Sequence, residues 1–176
     1  MKDIIKPIAV LACICLVVTA LLAYVNTVTS PIIKAAEEEN AARARTEVLT
    51  NAKSFEEMKD IKLPEGVTAV YKGDGDSGFV IMMQQKGYGG NIKLICGIKN
   101  DGTIEAVKTL SHGETSGIGS KVVDNGSGYR EKYAGKSADD YDKVDAVSGA
   151  TISSKAYKKA IASAFEAYKT AKGAKA

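Results

Sequence analysis

The loop-to-helix segment ending at Ser154 places a hydroxyl, that of Thr151, directly after two residues with almost no side chain, Gly149 and Ala150. A helix start carries unpaired N–H donors and partial positive charge, so it favours an anion. Either Ser153 or Ser154 is suited to cap such a helix, and the small residues let the backbone come close to a bulky group. The segment therefore suits a phosphate held at a helix start, although a plain loop with a helix cap would use the same residue types.

The pattern after Ser153 predicts an amphipathic helix, because apolar residues recur at three- and four-residue spacing. These apolar residues are Ala156, Tyr157, Ala160, Ile161, Ala164, Phe165 and Tyr168. Lys155, Lys158 and Lys159 add positive charge close to its start.

The order Asp145-x-x-Ser148-Gly149-Ala150-Thr151-x-Ser153 resembles the motif of FMN-binding domains in bacterial membrane redox complexes, in particular the G subunits of Rnf electron-transport complexes. The C subunit of the sodium-pumping NADH:quinone reductase is a more distant relative. In that family a flavin transferase moves FMN from FAD onto the motif threonine through a phosphoester bond. The resemblance implies covalent FMN on Thr151, which makes the chain a flavoprotein and formally a phosphoprotein. The cofactor-binding residues implied around it are Asp145, Ser148, Gly149, Ala150, Ser153 and Ser154.

Two further stretches resemble the same family. Leu110–Gly119 is similar to the family's H-x-E-T-P-G-[LI]-G segment, with Ser116 in place of the usual proline, and Lys86–Gly90 is similar to its G-Y-x-G turn. The resemblance implies hydrogen bonds from Glu114 and Thr115 to the flavin, with close approach at Gly117. Tyr88 either stacks on the flavin or fills a turn. Asp145 either orients the motif loop or ligates a metal ion that the transferase brings.

An uncharged apolar stretch from Ile8 to Val25 is long enough to span a bilayer. Lys2 and Lys6 precede it, and the next basic residue is Lys34. The positive-inside rule therefore predicts a single-pass protein of the cell membrane, in contact with lipid, with a cytoplasmic N-terminus and an extracytoplasmic soluble domain. A cleaved signal peptide is the alternative, but the stretch is longer than is usual for one and no clean Ala-x-Ala site follows.

The composition gives no support to several other kinds of site. The net charge is +3 and the basic residues form no stripe, so nucleic acid is not a predicted partner. With 1 His, 3 Cys and no Cys-x-x-Cys spacing, neither a metal site nor a Ser/His/Asp triad is predicted, and no catalytic residue is assigned. Cys13 and Cys15 in the apolar stretch and Cys96 in a predicted strand are interpreted as small buried residues.

The remaining pattern predicts an α+β protein: a single N-terminal transmembrane helix, then a mostly antiparallel sheet domain flanked by N- and C-terminal helices. The predicted strands are Val67–Tyr71, Phe79–Gln84, Ile92–Ile98 and Ile104–Leu110. Ile32 to about Asp60 is predicted to be mainly helical, and Tyr129–Tyr141 to be a polar loop. The predicted domains are an N-terminus and anchor at 1–30, a linking helix at 31–62 and an FMN-binding domain at 63–172.

The resemblance implies an electron-transfer component of a membrane-bound complex that moves electrons between ferredoxin and NAD and couples this to Na⁺ or H⁺ transport. Such a component is not catalytic alone, and its partners are the other membrane and peripheral subunits and a flavin transferase. Two alternatives remain open. One is a membrane-anchored binding or scaffold domain without a cofactor, and the other is a stand-alone flavoprotein reductase for an extracellular acceptor.

Overall fold

The computed structural model describes residues 2–174, and side chains from Ile5 onward. Met1 and the side chain of Lys2, both part of the predicted cytoplasmic end, lie outside the described residues. The chain divides into two compact units, one ending at Asn40 and the other beginning at Ala41. The first helix, α1 (Lys2–Val48), contains a stretch apolar and long enough to cross a membrane, with none of it buried inside the protein.

Five antiparallel strands form one sheet in sequence order: β1 (Phe55–Glu57), β2 (Val67–Gly73), β3 (Gly78–Lys86), β4 (Asn91–Lys99) and β5 (Ile104–Ser111). Tight turns connect β2 to β3 and β4 to β5. Each contains a glycine with positive φ, Gly75 at 60° and Gly102 at 89°, as the Gly- and Asp-rich sequence predicts. The meander therefore needs only local connections.

Both faces of the sheet are covered, which explains why nearly every residue of β3 and β4 is buried or half-buried. On one face, Phe79, Ile81 and Leu94 pack in the main core with the C-terminal helix α3 (Thr151–Gly173). On the other face, Val80 and Ile95 pack against the end of α1 and the turn that follows it, through Ala44, Val48, Leu49 and Ala52. The domain is thus two apolar layers, one on each side of a single sheet.

The connection from β5 to α3 contains one short α-helix, α2 (Ser120–Val123), and two 3₁₀ turns, Arg130–Tyr133 and Tyr141–Lys143. Tyr129, Tyr133 and Tyr157 are buried together, with the Tyr133 and Tyr157 rings stacked at 5.5 Å between centroids. Desolvation raises the pKa of the Tyr133 and Tyr157 hydroxyls. This aromatic cluster packs the connection onto α3.

The α+β class, the N-terminal apolar helix, the antiparallel sheet and the C-terminal helix are as predicted. Two local predictions are wrong. The helix predicted to reach Asp60 ends at Val48, and Phe55–Glu57 pair with β2 as a strand. The stretch predicted as the polar loop Tyr129–Tyr141 contains buried tyrosines and a 3₁₀ turn. Cys96 is buried, and desolvation raises the pKa of its thiol, whereas Cys13 and Cys15 are exposed on α1.

Candidate functional site

Helix α3 begins at Thr151, and its N-cap position is occupied by Ala150 without any side-chain cap. The prediction that Ser153 or Ser154 caps the helix is therefore wrong, because both lie inside its first turn and are buried. Ser154 instead accepts a hydrogen bond at 3.1 Å from the N–H of Val147, in the loop before the helix. The first N–H groups of a helix have no carbonyl partner within it, so this uncapped start offers donors and partial positive charge to an anion.

The Thr151 side chain is exposed at this helix start. Two residues before it, Gly149 has φ of 80°, and a Cβ built there would meet nothing within 4 Å. A residue with a side chain would be strained in that conformation, so glycine lets the loop turn sharply into the helix. The geometry presents the Thr151 hydroxyl next to the free N–H donors.

A buried carboxylate joins the three stretches that resemble the family motifs. Glu114 is 8% exposed, and its Oε1 accepts a hydrogen bond from the Gly89 N–H at 3.1 Å. Its Oε2 accepts a hydrogen bond from the Ser153 hydroxyl at 2.5 Å. Glu114 therefore ties the turn after β3 and the loop after β5 to the first turn of α3.

Glycines make room for this carboxylate. A Cβ on Gly87 would lie 2.1 Å from Glu114 Oε1, and one on Gly119 would lie 2.5 Å from Oε2. A Cβ on Gly89 would lie 2.1 Å from the carbonyl oxygen of Gly113. A larger residue at Gly87 or Gly119 would displace the Glu114 carboxylate from its present position, and one at Gly89 would push against the backbone of Gly113.

A pocket of about 420 Å³ lies where the three stretches meet. Its lining residues are Tyr88, Glu114, Thr115, Ile118, Gly119, Gly149, Ala150, Thr151, Ile152 and Ser153. The volume lies within the range of small-molecule and cofactor sites, about 300–1,000 Å³. The pocket is therefore large enough to take much of a flavin nucleotide.

The structure brings seven of the predicted site residues to the pocket lining and leaves four outside it. Those outside are Asp145, Ser148, Gly117 and Ser154. Asp145 and Ser148 are exposed in the loop before α3. Gly117, with φ of 78°, turns the loop after β5, and Ser154 holds the loop before α3 through Val147.

Sequence reasoning missed three lining residues: Ile118, Gly119 and Ile152. Ile118 is 52% exposed, Ile152 is 54% exposed and Tyr88 is 72% exposed, so large apolar surface is concentrated at this pocket. Such surface on a folded domain marks a binding site rather than a core. No signal in a single sequence separates an exposed isoleucine from a buried one; for Gly119, its place in the glycine-rich motif was a usable signal.

Two of the three lysines near the helix start make contacts with other groups. Lys159 forms an ion pair with Glu65 at 2.9 Å, and a hydrogen bond from Lys159 lowers the pKa of that carboxyl. Lys158 donates a hydrogen bond to the carbonyl oxygen of Asp142 at 2.6 Å. Lys155 is exposed, and at i+4 from Thr151 it lies on the same side of the helix.

These residues fit a flavin mononucleotide on chemical grounds. The uncapped helix start suits the phosphate, the exposed apolar side chains suit the faces of the isoalloxazine ring, and Glu114 and Thr115 offer polar atoms for the ribityl chain or ring edge. Among residues 2–174, no cluster of metal-ligating side chains accompanies the pocket.

Comparison with known proteins agrees with this fit. Residues 87–166 match the FMN-binding domain family, and residues 1–48 match the RnfG N-terminal region. The first match contains every residue that lines the pocket.

Similar proteins align over most of the chain. The G subunit of the ion-translocating oxidoreductase complex of Methanosarcina acetivorans is 32% identical, over 94% of this chain and 94% of its own length. The G subunit of the proton-translocating ferredoxin:NAD(+) oxidoreductase complex of Clostridium ljungdahlii is 27% identical, over 92% of this chain and 89% of its own length. The G subunit of the Na(+)-translocating ferredoxin:NAD(+) oxidoreductase complex of Acetobacterium woodii is 28% identical, over 95% of this chain and 92% of its own length. By these matches the chain belongs to the family of G subunits of ion-translocating oxidoreductase complexes.

Proposed function

We propose that this chain is the electron-transferring G subunit of a membrane-bound, ion-translocating ferredoxin:NAD oxidoreductase complex, with FMN attached to Thr151 through a phosphoester bond. The observation that supports it most is the exposed Thr151 hydroxyl at an uncapped helix start, in a pocket with exposed apolar side chains. FMN supplies the redox chemistry when bound, and the protein supplies its position and surroundings.

Attachment replaces one phosphate bond by another. The Thr151 oxygen bonds to the phosphorus next to the riboflavin in FAD and the pyrophosphate bond breaks. AMP leaves, with the adenosine-side phosphate and the bridging oxygen of the pyrophosphate. The hydroxyl proton passes to a base of the flavin transferase. The product phosphodiester retains one negative charge, which the free N–H groups and the positive end of α3 stabilise.

The pocket residues then have separate roles in holding the cofactor. Glu114 fixes the helix start against the loop after β5, so the tether and the pocket wall keep their spacing. Tyr88, Ile118 and Ile152 exclude water from part of the ring surface. A covalent tether keeps the cofactor in place on the outer side of a membrane, where a dissociating FMN would be lost.

The membrane arrangement is part of the same proposal. The apolar part of α1 anchors the chain, with the N-terminus in the cytoplasm and the FMN-binding domain outside, in contact with lipid and with the other subunits of the complex. The charge pattern supports this orientation, because Lys2 and Lys6 lie just before the apolar stretch, whereas the first basic residue after it is Lys34.

The test is the intact mass of the full chain produced together with a flavin transferase. Wild type is expected to gain about 440 Da and to show flavin fluorescence after denaturation, because the link is covalent. Thr151→Ala is expected to lose both, and Thr151→Ser to retain part of the modification through its hydroxyl. Thr115→Ala is the matched control, since it removes another hydroxyl from the same pocket and is expected to keep the added mass.

Two outcomes separate this proposal from its alternatives. If the added mass persists in Thr151→Ala, the attachment site is wrong. If wild type remains colourless in the presence of the transferase, the chain is an anchored binding or scaffold domain instead. Copurification with the other membrane subunits distinguishes the complex from a stand-alone reductase.

A further inference from the structure

The loop that forms one wall of the pocket, residues 112–124, is closed at its base by side-chain contacts. Asn125, just beyond the loop, makes two hydrogen bonds with the backbone of Thr109 on β5, one to its N–H and one to its carbonyl oxygen, both at 2.9 Å. His112 is the first residue of the loop, and Asp124, the C-cap of α2, is its last. The Nε2 atom of His112 lies 2.9 Å from the Asp124 carboxylate. The His112–Asp124 pair therefore joins the two ends of the loop.

His112 uses both ring nitrogens. Its Nδ1 accepts a hydrogen bond from the Glu114 N–H at 3.3 Å, while Nε2 faces Asp124. In a neutral imidazole one nitrogen donates and the other accepts. An Nδ1 that accepts leaves the hydrogen on Nε2, where it is donated to the carboxylate. The two contacts thus select a single tautomer.

Glu114 connects the His112–Asp124 pair to the pocket. His112 holds the backbone of Glu114, and the carboxylate of Glu114 holds Gly89 and Ser153. The loop closed by the pair contributes Glu114, Thr115, Ile118 and Gly119 to the lining, whereas His112 and Asp124 do not line it. Release of the imidazole would therefore loosen the pocket wall without removing any group that faces the cofactor.

We propose that His112 and Asp124 form a latch that positions the wall of the pocket against the flavin. The latch is a positioning device, and its role toward the cofactor rests on the proposed function. Asp124 orients the imidazole, and the imidazole orders the backbone of the segment that carries Glu114 and Thr115.

The first measurement uses the fact that the chain contains 1 histidine. Full-length protein in detergent, labelled with ¹⁵N in its imidazole, gives one pair of ring signals whose shifts identify the tautomer. The Nε2–H form is expected in wild type, and Asp124→Asn is expected to keep it because the amide oxygen still accepts. A predominance of the Nδ1–H form in neutral wild-type protein would overturn the latch.

The second measurement is hydrogen exchange across the loop in the same full-length protein. His112→Ala and Asp124→Ala are each expected to speed exchange in residues 112–119 about 3- to 10-fold, the effect of losing one ordinary hydrogen bond. The double variant is expected to be no faster than His112→Ala alone, since both single changes break one device. Asp139→Ala is the matched control, because it removes an exposed carboxylate from the connection between β5 and α3 outside this loop.

The third measurement addresses the flavin. After treatment with the transferase, the latch variants are expected to carry the same added mass as wild type but to show a weaker visible circular dichroism of the flavin. Asp124→Asn is expected to restore that signal, which loss of global stability would not do selectively.

Unchanged exchange and unchanged dichroism in His112→Ala would refute the latch. Wild type without flavin would refute the proposed function, while the exchange and ring measurements would still decide whether the latch exists.

Discussion

Glu114 shows how one side chain can order a site whose parts are far apart in sequence. Its carboxylate is buried and satisfied by a backbone N–H of the turn after β3 and by a hydroxyl of the first turn of α3. A buried carboxylate is costly unless it is hydrogen-bonded, so these two contacts are required as well as useful. The resemblance assigned Glu114 to the flavin, and the geometry adds a role in joining the three segments.

Glu114→Ala is expected to lower the free energy of unfolding by about 1–3 kcal/mol, because it leaves the buried Ser153 hydroxyl without its partner and removes the contact with the Gly89 N–H. Chemical denaturation of the full chain in detergent measures the loss. Glu166→Ala, which removes an exposed carboxylate from α3, is the control and is expected to change little. Equal stability of the two variants would contradict the joining role.

The sequence, through its resemblance, predicted a site around Thr151, and the structure has a pocket at that position. The detail of the pocket was not predicted. The order of small residues and hydroxyls pointed to Thr151, because each motif position is defined by residue type. The exposure of Ile118 and Ile152 could not be predicted, since isoleucine is among the residues most often buried. The cap was assigned wrongly because Ser153 donates to Glu114, a partner 39 residues away that local propensity cannot reveal.

At the scale of elements, the sheet depends on a close contact with the end of α1. Gly97 lies within β4, and a Cβ built there would lie 1.9 Å from the carbonyl oxygen of Val48. The backbone of the helix end thus rests directly on the sheet. Ala44, Val48, Leu49 and Ala52 complete this apolar layer.

Gly97→Ala is expected to destabilise the domain by about 1–3 kcal/mol, the usual effect of overpacking, because the neighbouring atom is backbone and cannot rotate away. The thermal unfolding midpoint, followed by the strand signal in circular dichroism, measures this. Gly126→Ala is the control, since a Cβ there meets nothing within 4 Å. If Gly97→Ala unfolds at the wild-type temperature, the close approach of α1 to the sheet is wrong.

Elements with a clear period of apolar residues, or with Gly- and Asp-rich turns beside them, were predicted well. Short elements without either pattern were not predicted. Strands β2 to β5 and helix α3 follow from apolar patterning and from Gly- and Asp-rich turns. Strand β1 is three residues long, and Phe55–Glu57 has no apolar alternation, so only its pairing with β2 defines it. The burial of Tyr129 and Tyr133 was missed because the three charged residues between them, Arg130, Glu131 and Lys132, are typical of an exposed polar loop.

At the scale of the molecule, the chain has two units of different character. The unit ending at Asn40 has an apolar stretch with no buried residue, whereas the unit beginning at Ala41 contains the whole sheet and both apolar layers. The sequence predicted domain bounds at 1–30, 31–62 and 63–172, and these stay predictions. Ala41 and Ala44 are already buried, which indicates that the end of α1 is needed by the folded domain.

A fragment of residues 41–176 is therefore expected to be soluble without detergent and to keep the strand and helix signals of the full chain. Sedimentation of cell extracts is expected to find the full chain with the membranes and this fragment in the supernatant. A second fragment that begins at residue 53 is the comparison, and it is expected to be unstable because it lacks Ala44, Val48 and Leu49. An insoluble 41–176 fragment would show that the first unit is required for folding.

The Thr151 side chain is exposed, whereas Ser153 and Ser154, two and three positions later, are buried in the folded domain. If FMN is attached as proposed, the attaching enzyme can reach the Thr151 hydroxyl on the folded domain, so no part of the domain has to open first. Protein made when flavin is scarce can accumulate in a stable, colourless form. Under the same proposal, the supply of FAD and of the transferase determines how much of this protein becomes able to carry electrons.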